Sequence, residues 1–162
     1  MAGVVGLLHA CQRMRFSRRV QYAICGIFDL AYNGAGEPVR VRAIGERQQI
    51  PYRFLEQIFQ SLRRADLVRG KRGPGGGYVL TRPPEEISLR EVVEAVEGPL
   101  GELALRDLEE AGGAPHRPDF LWRGLAERIA QGLGEVALSE VCREAVRQGV
   151  ARDLPGGFDY QI

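Results

Sequence analysis

Histidine occurs only twice in the 162 residues, at His9 and His116, and cysteine only three times, at Cys11, Cys25 and Cys142. Two distant imidazoles with no nucleophile motif leave little for acid–base or covalent catalysis, so the chain is not expected to be an enzyme. An odd cysteine count without a CxxC pair gives neither a disulfide framework nor a zinc site, and no metal is expected. That cysteine usage suits a reducing cytoplasm. No apolar run reaches about 18 residues, so no membrane partner is expected. Ala2 to Ala10 is apolar but lacks the basic start of a secretory signal. Residues 1–13 therefore read as a flexible N-terminal extension, with Met14 a natural alternative start. The stretch Gly73–Gly77 lacks the GxxxxGK[ST] pattern and lies between two strand-like segments, which argues against a nucleotide loop. No internal repeat is present.

What is present is ordinary globular composition, 44% hydrophobic and 27% charged, at a length that suits one domain or one small domain with an appendage. The net charge of +1 hides a division. Residues 14–84 carry 13 Lys/Arg against 5 Asp/Glu, whereas residues 85–162 carry 8 against 16. A basic half suits a polyanion, although a charge division alone is equally served by solvation.

Periodicity places a helix from the Ser17 cap to about Tyr32, with Val20, Ala23, Ile24, Ile27, Phe28 and Ala31 on one face. A brief helix follows, about Arg42 to Gln48. Ile50-Pro51 breaks the chain, because the residue before proline is pushed out of the helical region. The next helix, about Tyr52 to Ala65, buries Leu55, Ile58, Phe59 and Leu62. Residues 67–72 and 78–80 read as two strands around the glycine-rich loop. Ser88 opens a helix with a capping box to Glu91. After a weakly helical stretch at 100–111, Asp119 is expected to cap a longer helix to about Gly134 and Ser139 a last one to about Gln148. The tail from Asp153 is expected to be loose.

Helix, short helix, tight turn, helix and hairpin in that order make a winged helix-turn-helix. The expected fold class is mainly α with a small β-hairpin wing, plus a long C-terminal dimerisation helix. Such a motif sets the N-terminal residues of its second helix against base edges in the major groove. Here these are Tyr52, Arg53, Glu56 and Gln57. Arginine suits guanine, glutamine suits adenine, and a glutamate accepts from cytosine N4. Arg69, Lys71 and Arg72 lead into the wing, where Gly75 and Gly76 let backbone approach a phosphate. Arginine there suits a narrow minor groove. Arg15, Arg18 and Arg19 add candidate phosphate contacts, while Arg63 and Arg64 are as well explained as solvated. The partner expected from this half is double-stranded DNA. The alternative is a winged module that binds protein and does not read DNA.

The segments MRFSRRVQYAICGIFDLA (14–31), IPYRFLEQIFQSLRRADLV (50–68) and RGPGGGYVLTRPPEEISLREVVEAVEG (72–98) closely resemble the Rrf-two family of bacterial repressors, with its IscR, NsrR and CymR types. The likeness continues more loosely through LWRGLAERI (121–129). The resemblance implies a homodimeric winged-helix transcription regulator with Glu56 and Gln57 in the major groove and Arg72 at the wing. It also implies that the helix near 119–134 crosses to a partner subunit. Some family types hold an iron–sulfur cluster on three cysteines after the EAVEG-like helix. Pro99 to Pro118 has no cysteine here, and His116 is its only imidazole, so no cluster of that kind and no other cofactor is expected. Cys25 and Cys142 remain as candidate redox sensors, Cys25 reading as buried.

The acidic half is read as a dimerisation and effector region, residues 85–162, set against a DNA-binding domain at 14–84. Leu121, Leu125, Ile129 and Leu133 recur every four residues, with Trp122 beside them, and can pack against a copy of the same helix. The effector is left as a small molecule, a partner protein or a thiol oxidant.

Overall fold

The computed structural model describes residues 16–100, 116 and 118–153. The N-terminal extension, Arg15, nearly all of the weak helix at 100–111 and the tail beyond Asp153 lie outside the described residues. Within them the expected architecture is present: six α-helices and one two-stranded antiparallel hairpin.

Helix α1, Arg18–Gly34, starts where the Ser17 hydroxyl accepts from the Val20 N–H at 3.2 Å, and ends at Ala35 in the left-handed conformation. Its face of Val20, Ala23, Ile27 and Leu30 is buried. The short helix α2, Val41–Gln48, ends at Gln49 with φ 54°. The Ile50 N–H then donates to the Gly45 carbonyl at 3.0 Å. A Cβ on Gly45 would stand 2.9 Å from the Ile50 oxygen, so a side chain at this position would open the turn. Helix α3, Tyr52–Arg64, drives Leu55, Phe59 and Leu62 wholly into the interior. Gly26 of α1 lets them close in, since a Cβ there would meet the Phe59 ring at 3.1 Å.

The wing pairs β1, Val68–Lys71, with β2, Gly77–Leu80, in the register Val68↔Leu80 to Lys71↔Gly77. Val39 pairs with Tyr78 through two backbone bonds, 2.9 and 2.8 Å, and makes the wing locally three-stranded. A short 3-10 turn, Pro84–Glu86, leads to α4, Leu89–Glu97. The Ser88–Glu91 capping box is formed in both directions. Burial alone would raise the Glu91 carboxyl, but the Ser88 N–H, the Arg82 guanidinium and the Ser88 hydroxyl together hold it below its ordinary value.

Helices α5, Asp119–Gly134, and α6, Leu138–Arg147, complete the described chain. Two expected caps are corrected. Pro118 precedes α5 and Asp119 is already helical. Ala137 precedes α6, and Ser139 is a buried residue inside it. The α6 start needs no serine, because the Leu138 N–H donates to the Ile87 carbonyl at 2.8 Å. The Leu89 N–H returns a bond to Val136, so backbone ties the α5–α6 connection to the start of α4.

The expectation of a loose tail is also corrected at its beginning. Asp29, fully buried in α1, takes a forked contact from Arg47 of α2, closest 2.6 Å, and a bond from Gln48 at 2.9 Å. Arg47 also reaches Asp153 at 3.2 Å. The Asp153 N–H donates to the Asn33 side chain, Arg152 donates to the Tyr32 carbonyl, and the Tyr32 hydroxyl donates to Val150. Residues 150–153 thus strap the segment after α6 onto α1 and α2.

Candidate nucleic-acid interface

The outer side of the first turn of α3 is open. Tyr52, Arg53, Phe54, Glu56 and Gln57 are all exposed, Tyr52 at 47% and Phe54 at 56%. The four expected base-reading residues therefore share one open surface. The amphipathic sequence causes this: with Leu55, Ile58 and Phe59 inward, positions 53, 56, 57 and 60 must face out. Arg53 and Gln57 make no hydrogen bond or ion pair to any described residue. Glu56 differs, because it accepts a hydrogen bond from the Tyr52 hydroxyl one turn earlier.

Beside α3 runs a groove of about 430 Å³, walled by Arg40, Arg42, Tyr52, Glu56 and Gln60 on one side and Lys71, Gly73, Gly76 and Tyr78 on the other. Arg69, Lys71 and Arg72 are exposed around the wing, again without a described partner. The two wing glycines of the sequence reading separate here. Gly75 faces open space, so a side chain there would meet no described neighbour. A Cβ on Gly76 would lie 2.4 Å from the Lys71 carbonyl, so that glycine is required by the loop itself. Gly77 is a third, missed from sequence: its Cβ would stand 2.4 Å from the Val39 oxygen.

Arg40 was also missed. Its guanidinium donates to the Pro74 carbonyl at 2.5 Å and holds the wing tip against the start of α2. Sequence offers no signal for this pairing, because the partner is a backbone atom 34 residues away. Arg42, likewise missed, is paired with Glu46 at 3.5 Å. Arg18 is exposed at the start of α1, whereas Arg19 spends one of its donors on the Ser61 hydroxyl at 3.1 Å.

The second expected surface is α5. Phe120, Leu121, Trp122, Leu125 and Ile129 are exposed, Ile129 at 51%. Leu133, expected with them, is half-buried against the core of its own chain, and Ala130 beside it is buried. The helix docks by its C-terminal end and leaves an apolar stripe over its N-terminal two-thirds.

Cys25 and Cys142 are each half-buried, on α1 and α6. Burial pushes the Cys142 thiol above its ordinary value, more than Arg152 lowers it, so little thiolate forms at neutral pH.

A family profile described as an iron-dependent transcriptional regulator, Rrf2, matches residues 16–144. The chain is 37% identical over 131 residues to the HTH-type transcriptional regulator IscR of Xenorhabdus nematophila, spanning 80% of each protein. It superposes on T. potens IscR with a TM-score of 0.70 at 26% identity, covering 87% of this chain and 95% of that one. The global cysteine regulator CymR of B. subtilis has the same fold, with a TM-score of 0.66 at 24% identity over 81% of this chain and 98% of that one. These relatives are regulators of transcription and not enzymes. The profile's description names iron, and clusters are held mainly by several converging thiolates. Among the described residues no three His, Cys, Asp or Glu side chains form a metal-holding group, and residues 99–118 contain no cysteine. The described donors do not fit a thiolate-held cluster.

Proposed function

The chain belongs to the Rrf2 (Rrf-two) family of DNA-binding transcriptional regulators, and on that premise we propose that it acts as a homodimeric repressor without a cluster of the family's thiolate type. Two copies pair through Leu121, Trp122, Leu125 and Ile129 of α5. Each copy lays the front of α3 in the major groove and its wing on the adjoining backbone. Arg53, Glu56 and Gln57 face base edges, Arg72 enters the minor groove, and Arg18, Arg69 and Lys71 meet phosphates with the open backbone at Gly75. Residues 14–84 form the reading unit and residues 85–162 the pairing and effector unit, working in the cytoplasm beside the chromosome. A small molecule or a partner protein at the pairing unit is the expected signal.

The observation that carries this reading is the set of exposed, unpartnered side chains at Arg53 and Gln57 on α3 and at Arg69, Lys71 and Arg72 on the wing. Exposed cations left without acidic partners favour a phosphate backbone. Genomic footprinting followed by a salt titration on the recovered site tests it. Affinity should fall steeply with salt, each phosphate contact contributing a log–log slope of about −0.9. Binding that is indifferent to salt and sequence would overturn it.

A further inference from the structure

We infer that Tyr52 is a positioning residue for base recognition: its hydroxyl holds one oxygen of the Glu56 carboxylate and leaves the other to accept from a base. This rests on the reading of α3 as the base-facing helix. It also separates Tyr52 from the direct readers among which the sequence alone placed it.

The geometry is local. Tyr52 opens α3 and Glu56 follows four residues later, so the two side chains stand one above the other on the same face. Pro51 precedes them as the helix cap, and its fixed ring keeps the start of the helix, and with it the tyrosine, in one place. The tyrosine hydroxyl donates to Glu56 Oε1. Both side chains are exposed and both line the groove between α3 and the wing. The phenol is held above its ordinary value, chiefly by that hydrogen bond.

Two consequences follow. First, cytosine presents one amino group, N4, in the major groove, whereas an ionised carboxylate has two acceptor oxygens. When DNA excludes water, the second oxygen needs a donor or it is left desolvated and unpaired. Tyr52 supplies that donor from within the protein. Second, Arg40, Arg42 and Lys71 share the groove. A glutamate free to rotate would turn toward these cations and lose its place. A rigid ring with two torsions holds it at little entropic cost.

The test compares wild type, Y52F, E56A and the double variant Y52F/E56A. Each is titrated against duplexes carrying all four base pairs at every position of the footprinted site. E56A should flatten the preference at one position. Y52F keeps the ring and removes only the donor, and should weaken that same preference by roughly 3- to 10-fold while leaving other positions unchanged. In the E56A background Y52F should have no further effect. Independently of DNA, NMR titration of the tyrosine rings should show the Tyr52 phenol ionising above the ordinary value near 10 in wild type and returning toward it in E56A. If E56A relaxes one position and Y52F leaves it intact, or weakens all positions alike, the role given to Tyr52 is wrong while α3 still reads DNA. If E56A changes no position, both the inference and the reading of Glu56 fail.

Discussion

The front of α3 and the N-terminal part of α5 are both exposed helix faces, and they are opposites. The first presents Arg53, Glu56 and Gln57 beside a basic wing, whereas the second presents Leu121, Trp122, Leu125 and Ile129. Exposure has a different meaning in each. Unpaired polar and cationic side chains are comfortable in water and lose little by waiting for a polyanion. A contiguous apolar stripe is not comfortable, since each large apolar side chain gains about 1.5–3 kcal/mol on full burial. The α3 face is therefore complete in the monomer, and the α5 face is incomplete until something covers it. The strap at residues 150–153 bears on the comparison, because it fastens the segment after α6 to α1 and α2, the helices packed against α3.

The largest expected effect comes from cutting that fastening at its buried end. Asp29→Ala leaves the Arg47 guanidinium without its main partner and should destabilise the fold by about 3 kcal/mol, a fall in Tm of roughly 10 °C. Asp153→Ala removes only the exposed arm and should cost under about 1 kcal/mol. Equal losses in calorimetry would mean that the strap, and not the buried carboxylate, bears the load.

Next is the apolar face. Leu125→Glu puts a charge on a surface that wants burial, and should shift the protein to monomer in sedimentation and weaken operator binding by about 100-fold, with helix content unchanged. A dimer that survives this change would move the pairing surface elsewhere. The polar face is subtler. Arg72→Ala should weaken binding by about 1–3 kcal/mol, most on AT-rich flanks, without altering dimerisation in the same sedimentation run. The smallest effect belongs to the capping box. Glu91 has a lowered pKa, so its contribution to stability is present above the ordinary value near 4.5 and is lost as pH falls through the lowered one. The gap in Tm between wild type and Glu91→Gln should therefore narrow as the solution is acidified below that value.

Much of this was legible beforehand, and for physical reasons. The stripe Leu55, Ile58, Phe59 and Leu62 repeats at helical spacing, so it dictated which side of α3 is buried and, by subtraction, which side is open. Ser17 and the Ser88–Glu91 pair act over three residues, within reach of a local reading. What escaped acts over distance. Asp29 reads as a solvated charge on an amphipathic helix until Arg47 arrives from 18 positions away, itself paired with Asp153 from 106 further on. Arg40 and Gly77 matter because of backbone atoms in other segments, which composition cannot reveal. Ser139 failed as a cap for the same reason: the carbonyl of Ile87 already satisfies the start of its helix. Leu133 shows the limit of periodicity, which finds an apolar face but does not divide it between the chain's own core and a partner.

The proposed function requires two reading helices presented together to one duplex, and chemical footprinting of the purified protein on its recovered site tests this most directly. It predicts two protected half-sites centred about one helical turn apart, or a multiple of that, related by pseudo-twofold symmetry, with both lost together in Leu125→Glu. A single protected half-site that persists undiminished in that variant would contradict it.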